Sequence, residues 1–197
     1  MIRYSTDGSV PTASSPIYTG PIPITKKQSV IAATFMPSGQ RSDPTRVEVA
    51  SGPVQTLVAL KPGLRYSIYK GSFEKVPEVA NLQAASEGLA DKVGIVGDIK
   101  ENYAIDMNGF INIPSEGVYK FSLSSDDGSV LWLGGAKLVD NDGYHGTIEQ
   151  SGRIALRPGY YPVRIGFFQG GGDQSFKLSI EGPGMDKQEM PASWLLH

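Results

Sequence analysis

Two short stretches carry more oxygen ligands than packing requires, Asp126-Asp127-Gly128 and Asp140-Asn141-Asp142-Gly143, the second running straight into Tyr144 and His145. A third stretch, Gln169-Gly170-Gly171-Gly172-Asp173, combines an amide, a glycine run and a carboxylate. Carboxylates in loops offer two kinds of chemistry. Held apart across a cleft, two of them hydrolyse a glycosidic bond, one as acid and the other as base or nucleophile. Held side by side, they chelate a hard cation such as calcium, which takes about six to eight oxygens. Adjacent aspartates beside a glycine suit chelation, or the shaping of a tight turn through side-chain to backbone hydrogen bonds, better than acid and base work. The residues alone leave chelation and turn both open. Histidine chemistry is not expected: the chain has only His145 and His197, no cysteine and no accompanying nucleophile motif. No residue of this chain is therefore expected to be catalytic.

The loops need strands to hold them. Val130 to Leu133 is a short apolar run that reads as a buried strand, and Leu138-Val139 after Gly134-Gly135 reads as its hairpin partner. Trp132 lies inside that run and is expected to pack there, whereas Tyr144 and Trp194, beside polar or terminal residues, are better placed to stack on a ligand, with a role as packing anchors the alternative. Before the hairpin, Val118, Lys120, Ser122 and Ser124 alternate with Tyr119, Phe121 and Leu123, a period-two strand with one buried face. Further strands read at Leu64 to Ile68, Tyr103 to Ile113 with a kink at Asn108-Gly109, Ile154 to Arg157, Tyr160 to Phe168 and Ser175 to Ile180. Residues 74–100 lack a clear period and read as an irregular extended segment, in which 81–90 has room for a helical turn or two.

Composition agrees with an all-β chain: 24 Gly and 14 Pro among 197 residues, without a repeat period, match frequent turns. A net charge of −2 with no basic run lacks the footprint of a phosphate-backbone binder, so nucleic acid is not an expected partner. No apolar stretch is long enough to span a bilayer, and no signal-peptide core follows Met1. Without cysteine there are no disulfides and no thiolate zinc sites.

Residues 1–50 form a different kind of unit. Ile2 to Ser5 enters a turn at Thr6-Asp7-Gly8-Ser9, and short strands follow at Ser29 to Phe35 and Thr45 to Val49. Tyr4-Ser5-Thr6-Asp7-Gly8-Ser9-Val10-Pro11-Thr12, with Ser14-Ser15, Ile17-Tyr18 and Gly20-Pro21-Ile22-Pro23-Ile24, resembles the immunoglobulin-like domain at the C-terminal side of chitobiase and β-hexosaminidase catalytic domains. In that family one or two strands precede the position of Ile2, so this unit is expected to be partial and the chain a piece of a longer polypeptide. Residues 51–62, with Gly52-Pro53 and Lys61-Pro62, read as a linker, although the apolar stretch Val54 to Leu60 is an alternative strand tying the units together.

Along residues 63–197 come, in order, Gly63-Leu64 and Tyr69, Phe110 with Ile113-Pro114, Gly117 to Phe121, Ser125-Asp126-Asp127-Gly128-Ser129 with Trp132, Gly135, Leu138 to Asn141, Gly159 to Ile165 and Phe168-Gln169-Gly170. Together these stretches resemble the PA14 (protective-antigen) domain. The resemblance implies an antiparallel β-sandwich or barrel, beside a small partial immunoglobulin-like sandwich at the N-terminus. It further implies carbohydrate binding in a secreted, periplasmic or surface protein, with a glycoside hydrolase domain such as a β-N-acetylhexosaminidase elsewhere in the same polypeptide. The expected glycan-contacting residues are Asp126, Asp127, Asn141, Asp142, Tyr144, His145 and Gln169. Adhesins of this family hold calcium with adjacent aspartates joined by a cis peptide and an asparagine from a second loop. That carries over as Asp126, Asp127 and Gln169, with glutamine standing where the family has asparagine. The alternative is a structural spacer or lid on a neighbouring catalytic domain that binds no sugar itself.

Overall fold

The computed structural model describes residues 1–22, 28–49 and 59–197. The strand reading of Val54 to Leu60 therefore falls almost wholly outside the described residues. Fourteen strands are described, joined by turns and two short 3-10 segments. In chain order they are β1 (Ile2–Ser5), β2 (Gln28–Thr34), β3 (Thr45–Val49), β4 (Leu64–Lys70), β5 (Ser86–Ala90), β6 (Tyr103–Ile113) and β7 (Gly117–Asp126). Then follow β8 (Ser129–Leu133), β9 (Ala136–Asn141), β10 (Ile148–Leu156), β11 (Gly159–Gln169), β12 (Ser175–Gly182), β13 (Met185–Glu189) and β14 (Leu195–Leu196).

They form two sheets. The first has the order β1-β2-β3-β10-β7-β12-β13, and the second β5-β4-β6-β11-β8-β9, with β14 on β6. Alternation decides what lies between them. Tyr119, Phe121 and Leu123 of β7 and Phe176, Leu178 and Ile180 of β12 face Ile105 and Met107 of β6 and Val163, Ile165 and Phe167 of β11, all buried. Phe167 and Phe176 stack across the gap with centroids 4.7 Å apart. The hairpin read around Gly134-Gly135 is β8–β9, both glycines having positive φ (58° and 76°) as a two-residue turn of this kind needs.

The small N-terminal unit does not stand apart. β1, β2 and β3 pair antiparallel with one another, and β3 then pairs in parallel with β10 through Glu48↔Ile154 and Val49↔Ala155. Its three strands thus continue the first sheet of the main domain. Lys61 and Pro62, read as linker, pair with His197 and Leu196 at the other end of the chain.

Four further features depart from the sequence pattern. Residues 86–90 are extended, as read, but form a regular strand paired on β4, with Tyr66 against Gly88, where a Cβ would come 2.7 Å from the phenol oxygen. β10 begins at Ile148 rather than Ile154, and β13 is an added edge strand. Asn108-Gly109 carries no kink: β6 runs through it in register, and Gly109 leaves room for Leu196, whose carbonyl oxygen a Cβ would approach to 2.2 Å.

A carboxylate pair at the loop end of the sandwich

β7 ends at Asp126 and β8 starts at Ser129, so Asp126-Asp127-Gly128 is the turn between strands of opposite sheets. The peptide bond joining the two aspartates is cis. Gly128 is needed here, since a Cβ would lie 2.5 Å from the Phe168 ring and 2.7 Å from the Gly143 nitrogen.

Asp127 is only 6% exposed and held from both flanking loops. Its Oδ1 accepts the His145 N–H at 3.2 Å and its Oδ2 the Gly170 N–H at 2.9 Å. Its own N–H is donated to Oε1 of wholly buried Gln169 at 3.1 Å, while Gln169 Nε2 donates to the carbonyls of Gly171 and Asp173. Three segments distant in sequence are thereby locked around one carboxylate. Asp126 is half-buried, and among the described residues its carboxylate meets the hydroxyl of Thr147, 3.5 Å from Oδ2.

The remaining sequence candidates separate by what their polar atoms already do. Asn141 is buried and donates to Ser125 Oγ and to the Ile148 carbonyl; its Oδ1 is the buried side-chain atom left without a hydrogen-bond partner among the described residues. Asp142 Oδ1 accepts the N–H groups of Val76 and Gly143, so this oxygen faces its supports. Both ring nitrogens of His145 lie 2.9 Å from backbone carbonyls, of Asn141 and Gly146. Tyr144 is 57% exposed and stands edge-on to Phe168 at 5.4 Å, with its hydroxyl donated to the Phe73 carbonyl. Asp140 is bound instead to surface Lys137, whose ammonium it holds above the usual lysine range by hydrogen bond and charge. Trp132 packs under Arg164, 4.6 Å from ring centroid to guanidinium carbon, rather than in the central core, and Trp194 stands edge-on to Tyr119.

The donor set suits a hard cation. Everything the pair offers is oxygen, which excludes the nitrogen and sulfur preferences of zinc or copper. Each Asp127 oxygen accepts a single N–H and so keeps a lone pair free. Among the described residues no group of three His, Cys, Asp or Glu side chains converges, so a calcium shell here would draw its other oxygens from carbonyls, water or sugar hydroxyls. Gln169 Oε1 accepts the Asp127 N–H from a wholly buried position and so buttresses the pair from behind. Sequence reasoning missed Thr147, the Gly170 N–H and the Val76 and Phe73 contacts, most of which are backbone groups that no side-chain pattern announces.

An antiparallel sandwich with a carboxylate pair in the loops at one end describes a class of domain, and a named family fits it. The chain belongs to the PA14 domain family, whose model matches residues 60–194, and the chitobiase/beta-hexosaminidase C-terminal domain matches residues 1–46. A curated relative is a beta-hexosaminidase from Porphyromonas gingivalis, 28% identical over 184 residues. That match covers 85% of this chain, which spans only 23% of the relative's length. Among solved structures, the PA14 sugar-binding domain from an RTX adhesin superposes with a TM-score of 0.60 at 14% identity, covering 69% of this chain and 98% of that one. The A domain of epithelial adhesin 6 from Candida glabrata, in complex with Galβ1-3GlcNAc, gives 0.58 at 13% identity, covering 74% and 91%. At these identities the superpositions establish the shared fold. No helix among the described residues is long and apolar enough to cross a membrane.

Proposed function

We propose that this chain is a non-catalytic carbohydrate-binding region of a larger glycoside hydrolase of the β-hexosaminidase type, acting outside the cytoplasm as a secreted, periplasmic or surface protein. Its partners are a glycan and a catalytic domain of the same polypeptide. The observation that carries the reading is the buttressed pair. Asp127 is fixed by N–H groups from two loops and by Gln169, while Asp126 keeps a carboxylate almost free of protein partners. Calcium held by Asp126 and Asp127 would supply a positive centre that ligates sugar hydroxyls. Tyr144, beside the pair, offers an exposed ring to the apolar face of a pyranose. Adhesin domains of the same fold in complex with sugars support the reading, as does the match to part of a beta-hexosaminidase.

The spacer reading has one observation in its favour, the parallel pairing of β3 with β10, which ties the N-terminal strands to the main sheet. Calorimetric titration of the intact chain with calcium, then with Galβ1-3GlcNAc in calcium and in chelator, separates the two. Calcium-dependent sugar heat supports binding, and its absence leaves the spacer.

A further inference from the structure

Between β4 and β5, residues 71–85 cross the outer face of the second sheet, where Phe73, Val76, Val79 and Ala84 pack on Tyr69, Ala104 and Phe168. Val76 lies so close that a Cβ at Gly166 would fall 2.3 Å from its Cγ1. At the site end, Val76 N–H donates to Asp142 Oδ1 and Tyr144 OH donates to the Phe73 carbonyl, each at 2.8 Å. At the far end, Arg164 Nη2 donates to the Pro77 carbonyl at 3.1 Å, and Nη1 lies 3.5 Å from Glu78. Arg164 is itself fixed: Nε donates at 2.6 Å to Asp106, which is 4% exposed, and Asn108 donates to the other oxygen of that carboxylate. A half-buried guanidinium with a carboxylate on one side, an indole on another and a carbonyl at its tip is a strong, directional clamp.

We infer that Arg164 is a positioning residue for the sugar-facing loop 142–147, acting through the segment it clamps. Resting on the carbohydrate reading of the site, this connection runs from Arg164 to the Pro77 carbonyl, and from the neighbouring Val76 N–H to Asp142. From Asp142 it passes along three residues to His145, whose N–H holds Asp127. A parallel branch runs from Phe73 to the Tyr144 hydroxyl. The physical gain is preorganisation: an exposed ring on a loose loop must be ordered when ligand binds, and a ring tied from behind loses less freedom.

The test uses the intact chain with Arg164→Gln, Asp142→Ala, Asp142→Asn and the surface variant Tyr144→Phe. Amide exchange comes first, without ligand. In Arg164→Gln and Asp142→Ala, protection of the Val76 and His145 amides falls on the order of tenfold while Phe121 and Ile165 in the central core keep theirs. Asp142→Asn retains an acceptor oxygen and restores protection. In calcium, Arg164→Gln and Asp142→Ala then bind Galβ1-3GlcNAc several-fold more weakly, as does Tyr144→Phe, which loses only the bond to the Phe73 carbonyl and keeps calcium affinity within about twofold of the parent. Unchanged His145 protection in both clamp variants, or an equal fall at the core amides, overturns the inference. If Arg164→Gln fails to fold, Arg164→Lys, which keeps the cation but loses the donor fork on the Pro77 carbonyl and Asp106, is read in its place. A parent chain that binds no sugar would refute the site reading, while the exchange data would still decide the clamp.

Discussion

Gln169 turns its amide oxygen onto the backbone N–H of Asp127 at 3.1 Å from a position wholly shut off from solvent. The amide nitrogen of the same side chain closes the glycine loop through the carbonyls of Gly171 and Asp173. One residue thus joins the turn that bears the carboxylates to the loop whose Gly170 N–H steadies them.

Replacing Gln169 with leucine leaves the buried Asp127 N–H without its partner, while the carbonyls of exposed Gly171 and Asp173 turn to water. A loss of about 1–3 kcal/mol in urea unfolding is expected for the group left unsatisfied. Calcium binding weakens with it, because the turn that bears the pair loses its join to the glycine loop. A stability equal to the parent's would show that water replaces the amide at no cost.

Gly152 lies against the bulge of β9, where a Cβ would come 2.1 Å from the Leu138 carbonyl oxygen and 2.9 Å from its Cδ1. Backbone cannot yield as a flexible side chain can, so Gly152→Ala is expected to cost about 1–3 kcal/mol. Thermal melting reads this directly. Gly135→Ala, with open space around the new methyl but a φ of 76°, should lose less.

Tyr103 is sealed in the core and donates to Gln174 at 2.7 Å, and burial pushes its phenol up to about 12. Between the ordinary tyrosine value near 10 and that figure, the unfolded chain has released the proton and the folded chain has not. The unfolded state then binds fewer protons, so stability contributed by this group is full below pH 10 and falls as pH rises toward 12. Burial raises Tyr161 as well, so absorbance titration should show more than one late tyrosine, and Tyr103→Phe should remove the step near 12 and flatten the fall in stability.

The legible parts of the fold were those with a period or a glycine turn. β7 alternates cleanly from Tyr119 to Leu123, and Gly134-Gly135 fixed a hairpin that the structure contains. The aspartate pair stands out because two carboxylates beside a glycine answer no packing need, whereas the cis bond between them is a backbone feature that the residue types leave open. What stayed hidden has a common physical cause. Ser86-Glu87-Gly88-Leu89-Ala90 has poor strand propensity and becomes a strand because β4 offers it an edge, with Tyr66 covering Gly88. The parallel join of β3 to β10 links residues about a hundred apart through backbone groups, and backbone pairing leaves no mark on side-chain types. The clamp from Arg164 to Asp142 is invisible for the same reason, as the groups it uses on residues 76–77 are an N–H and a carbonyl.

The most direct measurement is a glycan array probed with the intact chain in calcium, in chelator, and as Asp127→Asn in calcium. Glycan signals that appear in calcium, vanish in chelator and drop on the order of tenfold or more in Asp127→Asn are the predicted result. Identical signals with and without calcium, or none in calcium at all, would contradict a sugar site built on Asp126 and Asp127.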